Sequence, residues 1–171
     1  MPMATTLFAV SAETLARLKA EPDAITELDS KDTYSTYLWV SIPYFLAWDE
    51  DEDDEDESEA GASDPLADVL TGTDSVNCAR LECGNFSVFE PSDVATLSAA
   101  LATVNLGAIK QSVLDADLEE VFDGEVWEEL EQQDLSDPEE VAKAVVDDIK
   151  RLKKFYAAVA KKKLGLVGYT T

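Results

Sequence analysis

Residues Asp49 to Glu57 read DEDEDDEDE, nine consecutive carboxylates with Glu59 just beyond and no base among them. No fold can bury such a run, because nine adjacent charges cannot all be paired or desolvated at tolerable cost. Any core must therefore be assembled from the segments on either side, with the run looped out between them. Like-charge repulsion predicts an extended, solvated and disordered insertion over residues 49–63, and SEAGASDP closes it with loop composition.

The run is the peak of a wider asymmetry. The 171 residues carry a formal charge of −24, from 37 acids and 13 bases. Without the ten carboxylates between 49 and 59, 27 acids still face 13 bases. Residues 49–142 hold 29 acids and two bases, Arg80 and Lys110, whereas eight of the 13 bases fall between Lys143 and Lys163. An acidic body followed by a basic C-terminal segment lacks the basic footprint that phosphate binding needs, so direct nucleic-acid binding is excluded. An anionic membrane surface is disfavoured for the same reason. The complementary partner is a basic protein, or one with a basic groove, and attraction between them would speed encounter. The plain alternative for the run itself is an inert solvated loop.

The length suits one well-cored domain, residues 1–171, and no apolar stretch approaches the roughly 18–20 residues of a membrane span. The N-terminus has no basic region before its short apolar piece, which reads as part of the fold, and the expected location is the cytoplasm. Cys78 and Cys83, the only cysteines, are expected to be reduced.

Ala4 to Val10 reads as a strand. Ser11 is placed to cap a helix carrying Leu15 and Leu18, which Pro22 ends. Ala24 to Leu28 and Leu66 to Leu70 read as short helices. Thr33 to Trp48 is rich in aromatics and fits strand or helix, with Pro43 interrupting either. Phe86 to Phe89 is a brief strand, and Pro91 opens a helix with Val94, Leu97, Leu101 and Val104 on one face. Gly107 starts a further helical stretch through Leu118. The clearest element is C-terminal. Val141, Val145, Ile149, Leu152, Tyr156 and Val159 recur at helical spacing, with Ser136 and Glu139 expected as a capping box and Gly165 as the C-cap. Leu166 to Tyr169 reads as a closing strand. The basic residues of that helix suit its dipole, or they neutralise the acidic body across an internal interface.

The chain has no histidine, which removes the commonest general base and the commonest nitrogen ligand for metals. No phosphate-cradling glycine loop occurs. Asp115, Asp117 and Glu119 have the opening spacing of a calcium loop, but Glu120 stands where the turn needs glycine. No spacing singles out a carboxylate pair for catalysis among so many acids. The expectation is a non-enzymatic protein with no catalytic residue, metal or cofactor.

Several segments resemble the YfbM-like family, DUF1877, of small bacterial α+β proteins. They are ATTLFAVSAETLARL at the start, PLADVLTGT after the acidic run, VFEPSDVATLSAAL, GEVWEE, and IKRLKKFYAAVAKKKLGLVGYTT at the end. None of these is a catalytic motif. The chain departs from the family at TYLWVSIPYFLAW, which replaces a helix with Trp-Asp and His-Phe-Leu-Leu, and at the acidic run that follows. Element order and resemblance together predict an α+β single domain, a small sheet with N- and C-terminal strands packed by several helices, the last of them long. The resemblance also implies a role as an immunity protein beside a secreted toxin, because small acidic bacterial families of this kind often serve in that way.

The expected function is an acidic binding protein that neutralises a co-encoded toxin by plugging a basic groove. The alternatives are a nucleic-acid mimic or binder of a basic DNA-associated protein, and an enzyme of unknown chemistry. Two acidic regions compete for the interface. The run of Asp49, Glu50, Asp51, Glu52, Asp53, Asp54, Glu55, Asp56 and Glu57 is expected to steer encounter. Specific contact is expected from Asp115, Asp117, Glu119, Glu120, Asp123, Glu125, Trp127, Glu128 and Glu129, because an ordered surface loses less entropy on binding.

Overall fold

The computed structural model describes residues 3–47, 64–72, 74–116 and 125–171, without the side chains of residues 125–127. Along the chain run β1 (Thr5–Val10), α1 (Ala12–Ala20), β2 (Thr33–Thr36), α2 (Ser41–Leu46), β3 (Asp74–Asn77), β4 (Asn85–Phe89), α3 (Pro91–Thr103), α4 (Leu106–Asp115), α5 (Glu125–Gln132), α6 (Pro138–Lys161) and β5 (Gly165–Thr170). Short 3-10 helices lie at Pro22–Glu27 and Pro65–Asp68. The strands form one antiparallel sheet in the order β2-β1-β5-β4-β3. The first and last strands are therefore neighbours at its centre, and the α+β architecture expected from the sequence is the one observed.

Strand alternation divides the core between the two faces. Leu7, Ala9, Tyr34, Phe89 and Leu166 face one core, covered by α2, α3, α4 and α6 with Leu130 of α5. Val10, Phe86, Val88 and Val167 face the other, covered by Leu15 and Leu18 of α1 and by Ile25. All six residues of the α6 stripe are buried. At about 1.5–3 kcal/mol for each fully buried large apolar side chain, that stripe is a principal source of stability. Tyr156 adds a directed contact, donating its hydroxyl to the Val69 carbonyl at 2.6 Å and so tying α6 to the turn after the second 3-10 helix.

Ser11 caps α1 as expected, its Oγ accepting from the Thr14 N–H at 3.1 Å. At α6 the cap is one residue later than expected. Asp137 accepts from the N–H groups of Glu139 and Glu140 at 2.9 and 3.2 Å, because Pro138 takes the first helical position and its predecessor becomes the cap. Gly165 is not the C-cap. Lys163 takes the left-handed conformation there, with φ +55°, and the Leu164 N–H reaches back to the Val159 carbonyl. Gly165 instead opens β5, where a Cβ would lie 2.7 Å from the Phe89 carbonyl oxygen.

The aromatic segment resolves into strand and helix together, β2 and then α2. Pro43 falls in the first turn of α2, where its missing N–H removes no intrahelical bond. β3 and α5 are additional to the elements read from the sequence. Lys150 pairs with Asp147 one turn back on α6, and Lys162, at the C-cap of that helix, pairs with Asp32 beside β2. Cys78 is buried and Cys83 exposed, and both are free thiols. Among the described residues no single helix is long and apolar enough to cross a membrane.

Candidate partner-binding groove

Among the described residues only two charged side chains are buried, Glu129 and Asp148, each 7% exposed. Both hold the short segment that joins β2 to α2. Asp148, on α6, accepts from the Thr36 hydroxyl and from Arg151 Nη1 at 2.6 Å. Thr36 Oγ1 in turn accepts the Leu38 N–H at 2.9 Å. Arg151 Nη2 donates to the Ser35 carbonyl at 3.0 Å, and its guanidinium lies 5.3 Å from the centre of the Tyr34 ring. The Tyr34 hydroxyl is buried, and that burial, with the Asp148 carboxylate nearby, pushes its ionisation up.

Glu129, on α5, fixes the other end. Its Oε1 accepts from the Val40 N–H at 3.0 Å, and its Oε2 from the Ser41 N–H at 3.0 Å and the Ser41 hydroxyl at 2.5 Å. The carboxylate thus satisfies donors that open α2 and would otherwise be orphaned. Burial pushes its carboxyl above the ordinary range, and the donors from Ser41 and Val40 oppose that shift.

A segment pinned at Thr36 and Ser41 presents what lies between in a fixed way. Leu38 turns into the core, Trp39 is half-buried, and Tyr37 is 50% exposed. Tyr37, Trp39 and Val40 line a groove of about 300 Å³ with Met3, Glu128, Glu129 and Gln132. Gln132 lies one turn beyond both Glu128 and Glu129 on α5, at four- and three-residue spacing. Among the described residues, the two exposed large hydrophobic side chains are Met3 and Tyr37, and both line this groove. Exposed apolar groups gathered in a concavity mark an interaction site more than exposed apolar groups scattered singly do.

A second cleft, of about 370 Å³, opens over the sheet and is lined by Thr5, Ser75, Ser87 and Thr170 among others. The Thr5 and Thr170 hydroxyls of that lining lie 2.7 Å apart. Asp74 is the one carboxylate in its lining, so the acidity that distinguishes this chain is not concentrated there.

The residues expected from the sequence divide as follows. Glu128 is exposed and lines the groove. Glu129 also lines the groove, but it is buried, and its carboxylate accepts from Val40 and Ser41 at the start of α2. Asp115 is exposed at the end of α4, accepting from Gln111 Nε2 at 2.7 Å, and does not line the groove. Asp117, Glu119, Glu120 and Asp123, the acidic run from Asp49 to Glu57, and the side chains of Glu125 and Trp127 lie outside the described residues. Tyr37, Trp39, Met3 and Gln132 were not among the expected contact residues. The aromatic density of 33–48 was visible, but not which rings face outward.

The fold is α+β, and its candidate site is a groove lined by aromatic, apolar and acidic side chains. The chain belongs to the family described as a domain of unknown function, DUF1877, which it matches over residues 1–169. Its fold is similar to the crystal structure of YfbM, a protein of unknown function from Escherichia coli. The TM-score is 0.63 with 14% identity, over 98% of this chain and 99% of that one. At that identity the likeness is one of fold. No curated protein matches the chain.

Proposed function

We propose that this chain is a non-enzymatic acidic binding protein that neutralises a basic protein partner, in the manner of an immunity protein with its co-encoded toxin. The observation that carries the reading is the coincidence at one groove of exposed Tyr37 and Met3 with Glu128 and Glu129. Aromatic anchors in a desolvated pocket supply binding energy, and surrounding acids supply orientation and rejection of acidic competitors. The net charge of −24 gives long-range attraction to a basic groove. Two buried carboxylates hold the aromatic segment in place before binding, which reduces the ordering entropy lost on association.

The test is calorimetric titration of the chain against the product of the neighbouring gene, from about 0.05 to about 0.5 M salt. The reading predicts a one-to-one complex whose affinity falls at least about tenfold over that range, with loss of the partner's activity on binding. A neighbouring product that does not bind, or an affinity indifferent to salt, refutes it. Capture of a chromosomal basic protein in its place would indicate mimicry of nucleic acid.

A further inference from the structure

We propose that the groove is a socket for one arginine side chain of the basic partner. The inference rests on the reading above and names the group that this site receives. A cavity of about 300 Å³ lies at the small end of ligand pockets and suits one long side chain rather than a folded segment.

Its lining selects for a planar cation. Tyr37 and Trp39 bring aromatic surface, on which a guanidinium stacks, and a guanidinium sheds water more readily than an ammonium does. Met3 offers a flexible apolar wall for the methylene stem. Glu128 stands exposed at the groove, available to the cationic head.

Glu129 supplies the strongest argument. It is a buried carboxylate that, among the described residues, is held by neutral donors. Among the described residues no basic side chain forms an ion pair with either Glu128 or Glu129. Buried charges in proteins are ordinarily paired, and Asp148, the other buried carboxylate here, has Arg151. Among the described residues Glu129 has no such counter-charge, and burial pushes its carboxyl above the ordinary range despite the opposing hydrogen bonds. An arginine entering over Tyr37 would provide on Glu129 what Arg151 provides on Asp148.

The experiment is an NMR titration of the full chain with N-acetyl-arginine amide, with the lysine and norleucine analogues as controls. The expected result is saturable shifts at the amides of Tyr37, Val40, Ser41 and Gln132 and at the Trp39 indole. Arginine should bind at least about threefold more tightly than lysine, and norleucine should leave these signals unmoved. Tyr37→Ala and Glu128→Gln should each abolish saturation, while Tyr37→Phe retains it. Absence of saturable shifts, equal shifts with norleucine, or shifts spread over the whole acidic surface overturns the socket. If the arginine probe fails while the salt-dependent partner complex forms, the socket is wrong and the binding reading stands. If the probe binds and the partner does not, the socket stands and the binding reading falls.

Discussion

Removing the Glu129 carboxylate should destabilise this protein more than an ordinary surface substitution does. Glu129→Leu would leave the Val40 and Ser41 N–H groups and the Ser41 hydroxyl without their acceptor, and Ser41 is fully buried. An unsatisfied buried donor costs about 1–3 kcal/mol, and relief of the carboxylate's own desolvation offsets part of the sum. The net expectation is a loss of about 3 kcal/mol at pH 7, hence a fall in Tm of roughly 6–12 °C for a domain of this size. Thermal and urea unfolding followed by circular dichroism measures both. The pH dependence carries an independent sign. Because the folded state raises the Glu129 carboxyl above its ordinary value of 4.5, the folded state holds that proton more tightly than the unfolded one. Its contribution to stability is therefore greatest below the ordinary value and declines as pH rises through the shifted one. The advantage of the wild-type chain over Glu129→Gln should accordingly shrink from about pH 4.5 upward. A Leu variant within 0.5 kcal/mol of wild type, taken as roughly the scatter of surface substitutions, would refute the capping argument. An advantage over Gln that grows with pH would refute the assignment of burial as the dominant effect.

Three further substitutions test the fold at particular contacts. Gly165→Ala should lose about 1–3 kcal/mol in chemical denaturation, because the added Cβ meets the Phe89 carbonyl at 2.7 Å and backbone must move. Lys163→Gly should gain up to about 1 kcal/mol by relieving its left-handed backbone, and a loss would contradict the capping geometry. Tyr156→Phe should cost about 1–2 kcal/mol by stranding the buried Val69 carbonyl, with near-ultraviolet circular dichroism reporting whether the core stays packed.

What the sequence disclosed followed the strength of its periodic signals. The α6 stripe was legible because six apolar residues repeat over a long helix, and β1 and β4 because their apolar content is dense. β3, read from DSVN, has almost no apolar alternation, since it is an edge strand paired with β4 alone. α5, EVWEELEQ, reads as acidic surface because its charges surround the buried Leu130. The Gly165 misreading has a different origin: a glycine required for close approach looks the same in sequence as one required for positive φ. At the site, the acidic character of Glu128 and Glu129 was visible, but their opposite fates were not. Glu129 is buried by Val40 and Ser41, 88 or more residues away in the chain, and no local pattern encodes that contact. The same holds for Asp148 and Thr36, which lie 112 residues apart.

The central claim is that an aromatic groove fixed by buried carboxylates determines how tightly the partner is held, while the acidic run from Asp49 to Glu59 accelerates encounter. Surface plasmon resonance with the immobilised partner separates these roles. Deleting residues 49–59 should lower the association rate several-fold and change the dissociation rate by less than about twofold. Tyr37→Ala should instead raise the dissociation rate by about tenfold or more, with little change in association. If the deletion accelerates dissociation and Tyr37→Ala leaves it unchanged, the groove is not the site of specificity.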